Sequence, residues 1–147
     1  RIRSVHPLGH SDKKFPEALL NEIRWRGAFR TLISDQAKAE MSAQVLEILQ
    51  KFTIGDWQSE AGHQHQNYAE RGWKDSKEWT NNLLNRSGAP ANCWLLALQY
   101  ICFLQNHTTC KSLGWRTPIE WLLGFTPDIS VLLQFEFYEP VYYSLAR

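Results

Sequence analysis

The run CWLLALQYICFL, Cys93 to Leu104, constrains this chain more than any other stretch. It is twelve residues long, and its one strongly polar member is Gln99. At 1.5 Å per residue such a helix reaches only about 18 Å, well short of the roughly 30 Å hydrocarbon layer of a bilayer. It is therefore a core helix, and the rest of the chain has to cover it. The composition allows this, with 44% hydrophobic and 13% aromatic residues and seven tryptophans in 147 positions. That balance excludes intrinsic disorder and suits one compact domain with a real core.

Charge narrows the function classes. Sixteen basic residues meet fifteen acidic ones, for a net charge of +1, so any surface for nucleic acid has to be local. There are three cysteines and no C-x-x-C pair. Cys93 and Cys102 fall on one helix, roughly 13 Å apart, too far for a disulfide. The expected setting is a reducing intracellular compartment, nuclear or cytoplasmic, with no secretion signal and no membrane span. Both cysteines read as small hydrophobes rather than nucleophiles.

Periodicity and punctuation give the elements. Residues 1–8 form an extended segment ending at Pro7. FPEALLNEIRWRG is a helix with proline in its first turn, an apolar stripe of Leu19, Leu20, Ile23 and Trp25, and Gly27 as its stop. AFRTLIS is a short strand ending at Asp35. SAQVLEILQKF is a helix capped by Ser42, with Val45, Leu46, Leu49 and Phe52 on one face. TIGDWQS is a further strand, weakened by Gly55. A long helix spans about 66–85, with Ala69, Trp73, Ser76, Thr80, Leu83 and Leu84 on its apolar side, so that Trp73 is core and Trp79 points away. After Gly88 and Pro90 comes the buried helix at 91–106. TPIEWLLG carries Thr117 as N-cap, Pro118 at N1, Glu120 closing a capping box and Gly124 as terminator. The order of strands and helices predicts an α/β sheet in a single domain, residues 1–147. A strand-and-helix part covers about 1–58, a helical part about 59–124, and an extended aromatic tail 125–147.

Two carboxylates stand out. Asp35 closes a strand, and Glu70 lies in the first turn of the long helix, 35 positions on. A strand end and a helix start at one sheet edge suit two-metal chemistry, in which hard cations polarise a phosphate and activate a hydroxyl. Lys74 and Lys77 lie within roughly 40° of Glu70 on the helical wheel, placed to meet the phosphates of a bound strand. Spacing alone favours a plainer reading, a turn aspartate and a solvated Glu–Lys pair.

The words of the sequence shift that balance. TLISDQAKAEMS, then QNYAERGWKDSK, TPIEWLLGFTPDIS and FEFYEPVYY, resemble in order and spacing the integrase catalytic core of copia-type long-terminal-repeat retrotransposons. The similarity runs from about His6 to Tyr143 and is nearest a divergent branch of diatoms and other algae. It implies a ribonuclease H-like α/β fold, truncated at the N-terminus with its opening strands missing, and a helical C-terminal half. It also implies metal-dependent phosphoryl transfer to DNA, with Mg²⁺ or Mn²⁺ as cofactor. By position, Asp35 matches the second acid of the family's Asp–Asp–Glu triad, and Glu70 the final glutamate, within Gln66, Asn67, Ala69 and Glu70. Asp35 and Glu70 are thus the implied catalytic and metal-binding residues, and Gln66, Asn67, Arg71, Lys74 and Lys77 the implied DNA contacts. The implied partners are DNA, as element ends and target duplex, and further copies of the chain.

The chain departs from the family pattern. The opening strand that bears the first triad aspartate, with the elements after it, needs roughly 45–55 residues before Asp35. Only 34 precede it, and the acids among them, Asp12, Glu17 and Glu22, sit at or inside the first helix. Gln36 replaces a common asparagine, and Gln64 a frequent proline. The expectation is weak metal binding and no strand transfer by these residues alone. A non-catalytic nucleic-acid-binding or interaction module, and a ribonuclease H-like nuclease, are the alternatives. The pair His63 and His65 reads as a polar loop rather than a zinc site. Arg24, Arg26 and Arg30 form either a local basic patch or a solvated face.

Overall fold

The computed structural model describes residues 3–5, 14–34, 42–58 and 68–142. The chain divides into two compact units, one of residues 6–72 and one of residues 1–5 with 73–147.

In the first unit, helix α1 (Lys14–Arg26) is followed by strand β1 (Thr31–Ser34), helix α2 (Ala43–Lys51) and strand β2 (Gly55–Gln58). The strands pair in parallel, Thr31 opposite Gly55 and Ser34 opposite Gln58. A parallel pair requires a crossover, and α2 provides it. Ser42 caps α2, its Oγ accepting from the Val45 amide at 3.4 Å. Gly27 stops α1 with φ +82° and donates its N–H to the Ile23 carbonyl at 2.9 Å. Gly55, expected to weaken its strand, instead starts β2, and its N–H reaches the Arg30 carbonyl at 2.9 Å. The core of this unit joins Leu19 and Ile23 of α1 to Val45, Ile48 and Leu49 of α2 and to Ile54, with Phe15, Leu20, Phe29, Leu32 and Phe52 around it. Burying each of these aliphatic side chains contributes about 1.5–3 kcal/mol.

Two of the expected stripes are corrected. Trp25 is 87% exposed, because six residues beyond Leu19 is 600°, the wrong side of the helix. On α2 the third buried residue is Ile48, not Leu46, since 45, 48 and 49 lie closer together on the wheel than 45 and 46.

The second unit contains most of helix α3 (Tyr68–Ser87), helix α4 (Trp94–His107) after a short 3₁₀ turn, and helix α5 (Pro118–Leu123). The face that α3 buries is small and polar: Ser76 and Thr80 are almost fully enclosed, whereas Ala69 and Trp73 are exposed. Thr80 satisfies its hydroxyl by donating to the Ser76 carbonyl at 2.7 Å. Trp73, expected in the core, meets Trp94 edge-on at 6.0 Å with half its surface in solvent. The helix expected at 91–106 is buried along one side only. Ala97, Leu98, Ile101, Cys102 and Asn106 are inside, while Leu95, Leu96 and Phe103 face out. All three cysteines are free thiols, and only Cys102 is buried.

Helix α5 has the full capping box. The Glu120 amide donates to Thr117 Oγ1 at 3.1 Å, the Thr117 amide donates to Glu120 Oε2 at 3.4 Å, and Gly124 closes the helix at φ +78°. The aromatic tail is not an extended strand. It makes a 3₁₀ turn at Ser130–Leu133 and further turns, and it lays Phe137 against Tyr100 at 5.4 Å. Residues 3–5 form no strand. Among the described residues, no helix is long and apolar enough to cross a membrane.

Candidate functional site

Parallel strands end on one edge, and ligands of open α/β sheets gather beyond the carboxyl ends of the strands. Here that edge is marked by Ser34 and its partner Gln58. Ser34 is buried, so β1 delivers the chain to the edge from within the packed unit. The next residue, Asp35, lies outside the described residues, as do Gln66, Asn67, His63 and His65.

Glu70 is described. It occupies the first turn of α3, where a carboxylate complements the positive end of the helix dipole, and its side chain is exposed. Arg71, Lys74 and Lys77 follow on the same helix, all exposed. Lys74 and Lys77 stand on the order of 6 and 10 Å beyond Glu70 along the axis. Among the described residues, none of Glu70, Lys74 and Lys77 takes part in an ion pair. The plain reading of the sequence, a solvated Glu70–Lys74 pair, is therefore not what the side chains adopt. Among the described residues neither ammonium group has a carboxylate partner.

The other basic candidates differ. Arg26 is held by Glu22 at 2.8 Å, four residues before it, which takes it out of any patch. Arg24 and Arg30 are exposed. Trp73 and Trp79 are equally exposed, at 50% and 49%, so Trp79 does not point away any more than Trp73 does. The open concavity in the tail, lined in part by Phe135, Glu136, Phe137 and Glu139, carries acidic groups only, the wrong sign for a phosphate backbone.

A divalent ion such as Mg²⁺ takes hard oxygen ligands, and the Glu70 carboxylate is of that kind. Among the described residues no cluster of three His, Cys, Asp or Glu side chains exists, and Glu70 has no second acid or imidazole grouped with it there. Fit to a metal rests on Glu70 together with Asp35.

Sequence reading passed over a second polar cluster, formed by Arg3, Asp75, Ser76, Gln105 and Asn106. Arg3 is separated from Ser76 by 73 positions and from Asn106 by 103, and no local pattern encodes a contact over such distances.

The architecture is that of a ribonuclease H-like α/β domain, in the form found in integrase catalytic cores. Three solved structures carry the likeness. The catalytic core domain of HTLV-2 integrase in complex with magnesium matches in its trimeric form with a TM-score of 0.60 and 15% identity, covering 78% of this chain and 71% of that one. Its dimeric form matches with a TM-score of 0.55 and 16% identity, covering 78% and 69%. A simian T-cell lymphotropic virus intasome, in complex with the PP2A regulatory subunit B56 gamma, matches with a TM-score of 0.65 and 16% identity, over 97% of this chain and 49% of that one. At such identities the likeness establishes the fold. No protein-family model matches the chain, and no curated protein matches it in sequence.

Proposed function

We propose that these residues are the catalytic-core portion of a DNA integrase of the copia-type retrotransposon class, directed at DNA ends and a target duplex. The observation that carries the reading is the integrase-core fold combined with α3, which presents a first-turn carboxylate, Glu70, and exposed ammonium groups at Lys74 and Lys77, unpaired among the described residues. In this reading Asp35 and Glu70 hold Mg²⁺ or Mn²⁺. The metal would stabilise charge on the phosphate and lower the pKa of the attacking hydroxyl. Arg71, Lys74 and Lys77 neutralise phosphates and fix the register of the strand, and Gln66 and Asn67 add polar contacts.

Two of three triad carboxylates have counterparts in the sequence. A metal pair lacking a shared ligand binds weakly, so in this reading strand transfer needs a third carboxylate beside Asp35 and Glu70. The magnesium and the multimeric forms of the HTLV-2 core belong to that protein; here they support divalent-metal use and self-association as parts of the proposal.

The test is joining of labelled DNA ends to a plasmid with Mg²⁺ or Mn²⁺, using the protein encoded by the complete reading frame. Joining that Asp35→Asn or Glu70→Gln abolishes supports the proposal. Cleavage of RNA–DNA hybrids without joining would assign the site to a nuclease. DNA binding without either reaction would make it a non-catalytic module.

A further inference from the structure

Asn106 is buried on α4, and both ends of its side-chain amide are engaged. Its Oδ1 accepts from the Arg3 backbone N–H at 2.8 Å, and its Nδ2 donates to the Arg3 carbonyl at 2.7 Å. This two-point clasp holds a single residue as a neighbouring strand would. The Arg3 side chain is held separately. Its Nη1 donates to Ser76 Oγ at 2.7 Å and to Gln105 Oε1, while Ser76 Oγ donates to the same Gln105 oxygen at 3.1 Å. Its Nη2 lies 4.0 Å from the Asp75 carboxylate. Acceptors on two helices thus converge on one guanidinium, and an amide fixes the backbone that carries it.

We propose that Asp75, Ser76, Gln105 and Asn106 form a docking site for an extended segment bearing one arginine, and that residues 3–5 of this chain are its occupant. The segment acts as a strap across α3 and α4. Cys102, one turn before Asn106 and 7% exposed, feels the Arg3 charge and hydrogen-bonds Ser76, and in this proposal the docked strap is what shields it. The site recognises backbone and guanidinium together. A lysine there keeps the charge but loses the planar fork that reaches Ser76 and Gln105 at once.

Cys102 reports on the strap in the full chain carrying Cys93→Ser and Cys110→Ser, where it is the only thiol. Its labelling rate with a maleimide is measured with Arg3 intact, with Arg3→Lys and with Arg3→Ala. Loss of charge-assisted hydrogen bonds should raise the rate by about tenfold or more for Arg3→Ala, and less for Arg3→Lys. Adding the free peptide Arg-Ile-Arg-Ser-Val to the Arg3→Ala protein should restore slow labelling, and a peptide with alanine for its second arginine should not. An unchanged rate in Arg3→Ala overturns the proposal. So does a raised rate that the peptide fails to reverse, because Arg3 would then act on global stability and not through a docking site.

Discussion

At the scale of single residues, burial rather than type decides consequence. Val45 is the fully enclosed aliphatic side chain of the α1–α2 core, with 0% of its surface exposed. Val45→Ala removes two carbons there and should cost about 2 kcal/mol, read from the urea midpoint. Cys102 behaves differently. Burial raises its thiol pKa from the ordinary 9.0, and the nearby Arg3 charge and Ser76 hydroxyl offset this only in part. The folded protein therefore keeps that proton to higher pH than the unfolded chain does. Stability is full below the ordinary thiol value and falls as pH rises above it. Urea melts at about pH 8 and about pH 10 should show this loss, and Cys102→Ala should reduce the difference between them. An unaltered difference would place the alkaline loss at other groups.

At the scale of elements, helix ends were legible and helix faces were less so. The stop at Gly27, the cap at Ser42 and the capping box at Thr117 with Glu120 follow from residues within four positions of one another, and each stands in the structure. Helix α5 has only six residues, too few to hold itself together by propensity, so its ends carry much of its stability. Thr117→Ala should destabilise it by about 1 kcal/mol, and Gly124→Ala by a similar amount because φ +78° strains an L side chain. Amide exchange in α5 should quicken in both variants. Faces needed more than periodicity. The wheel grouped Trp73 with Ser76 and Thr80, yet only the two small residues are enclosed, since an indole takes space that an opposing side chain would have to leave. Trp73 stacks edge-on against Trp94 at the margin instead.

At the scale of the whole molecule, the fold and α3 together frame the proposed activity. If Lys74 and Lys77 meet phosphates, Lys74→Glu with Lys77→Glu should weaken binding to any duplex, irrespective of sequence. It should also lower the slope of log affinity against log salt by about two. Unchanged binding and slope would remove α3 from the DNA interface and leave Glu70 as a surface carboxylate. Glu70→Gln should spare binding while abolishing joining, a separation that a merely structural role for Glu70 would not produce. Of the candidate site, spacing put Glu70, Lys74 and Lys77 on one helix and only the resemblance gave them roles; the structure adds that their side chains are exposed and unpaired among the described residues.

What the sequence determined by itself is the set of elements: where helices start and stop, that two short strands flank a helix in an α/β order, and that the Cys93–Leu104 run is a core helix rather than a membrane span. These properties arise from forces acting over a few residues, chiefly hydrogen bonds at helix ends and the conformational preferences of Gly, Pro and Ser. Only the tertiary structure decided which candidate core residues are enclosed, leaving Trp25 and Trp73 outside while Ser76 and Thr80 are sealed. It alone joined Arg3 to Ser76, Gln105 and Asn106. Enclosure and such long-range hydrogen bonds depend on surfaces brought together from distant parts of the chain, and residue spacing carries no record of them.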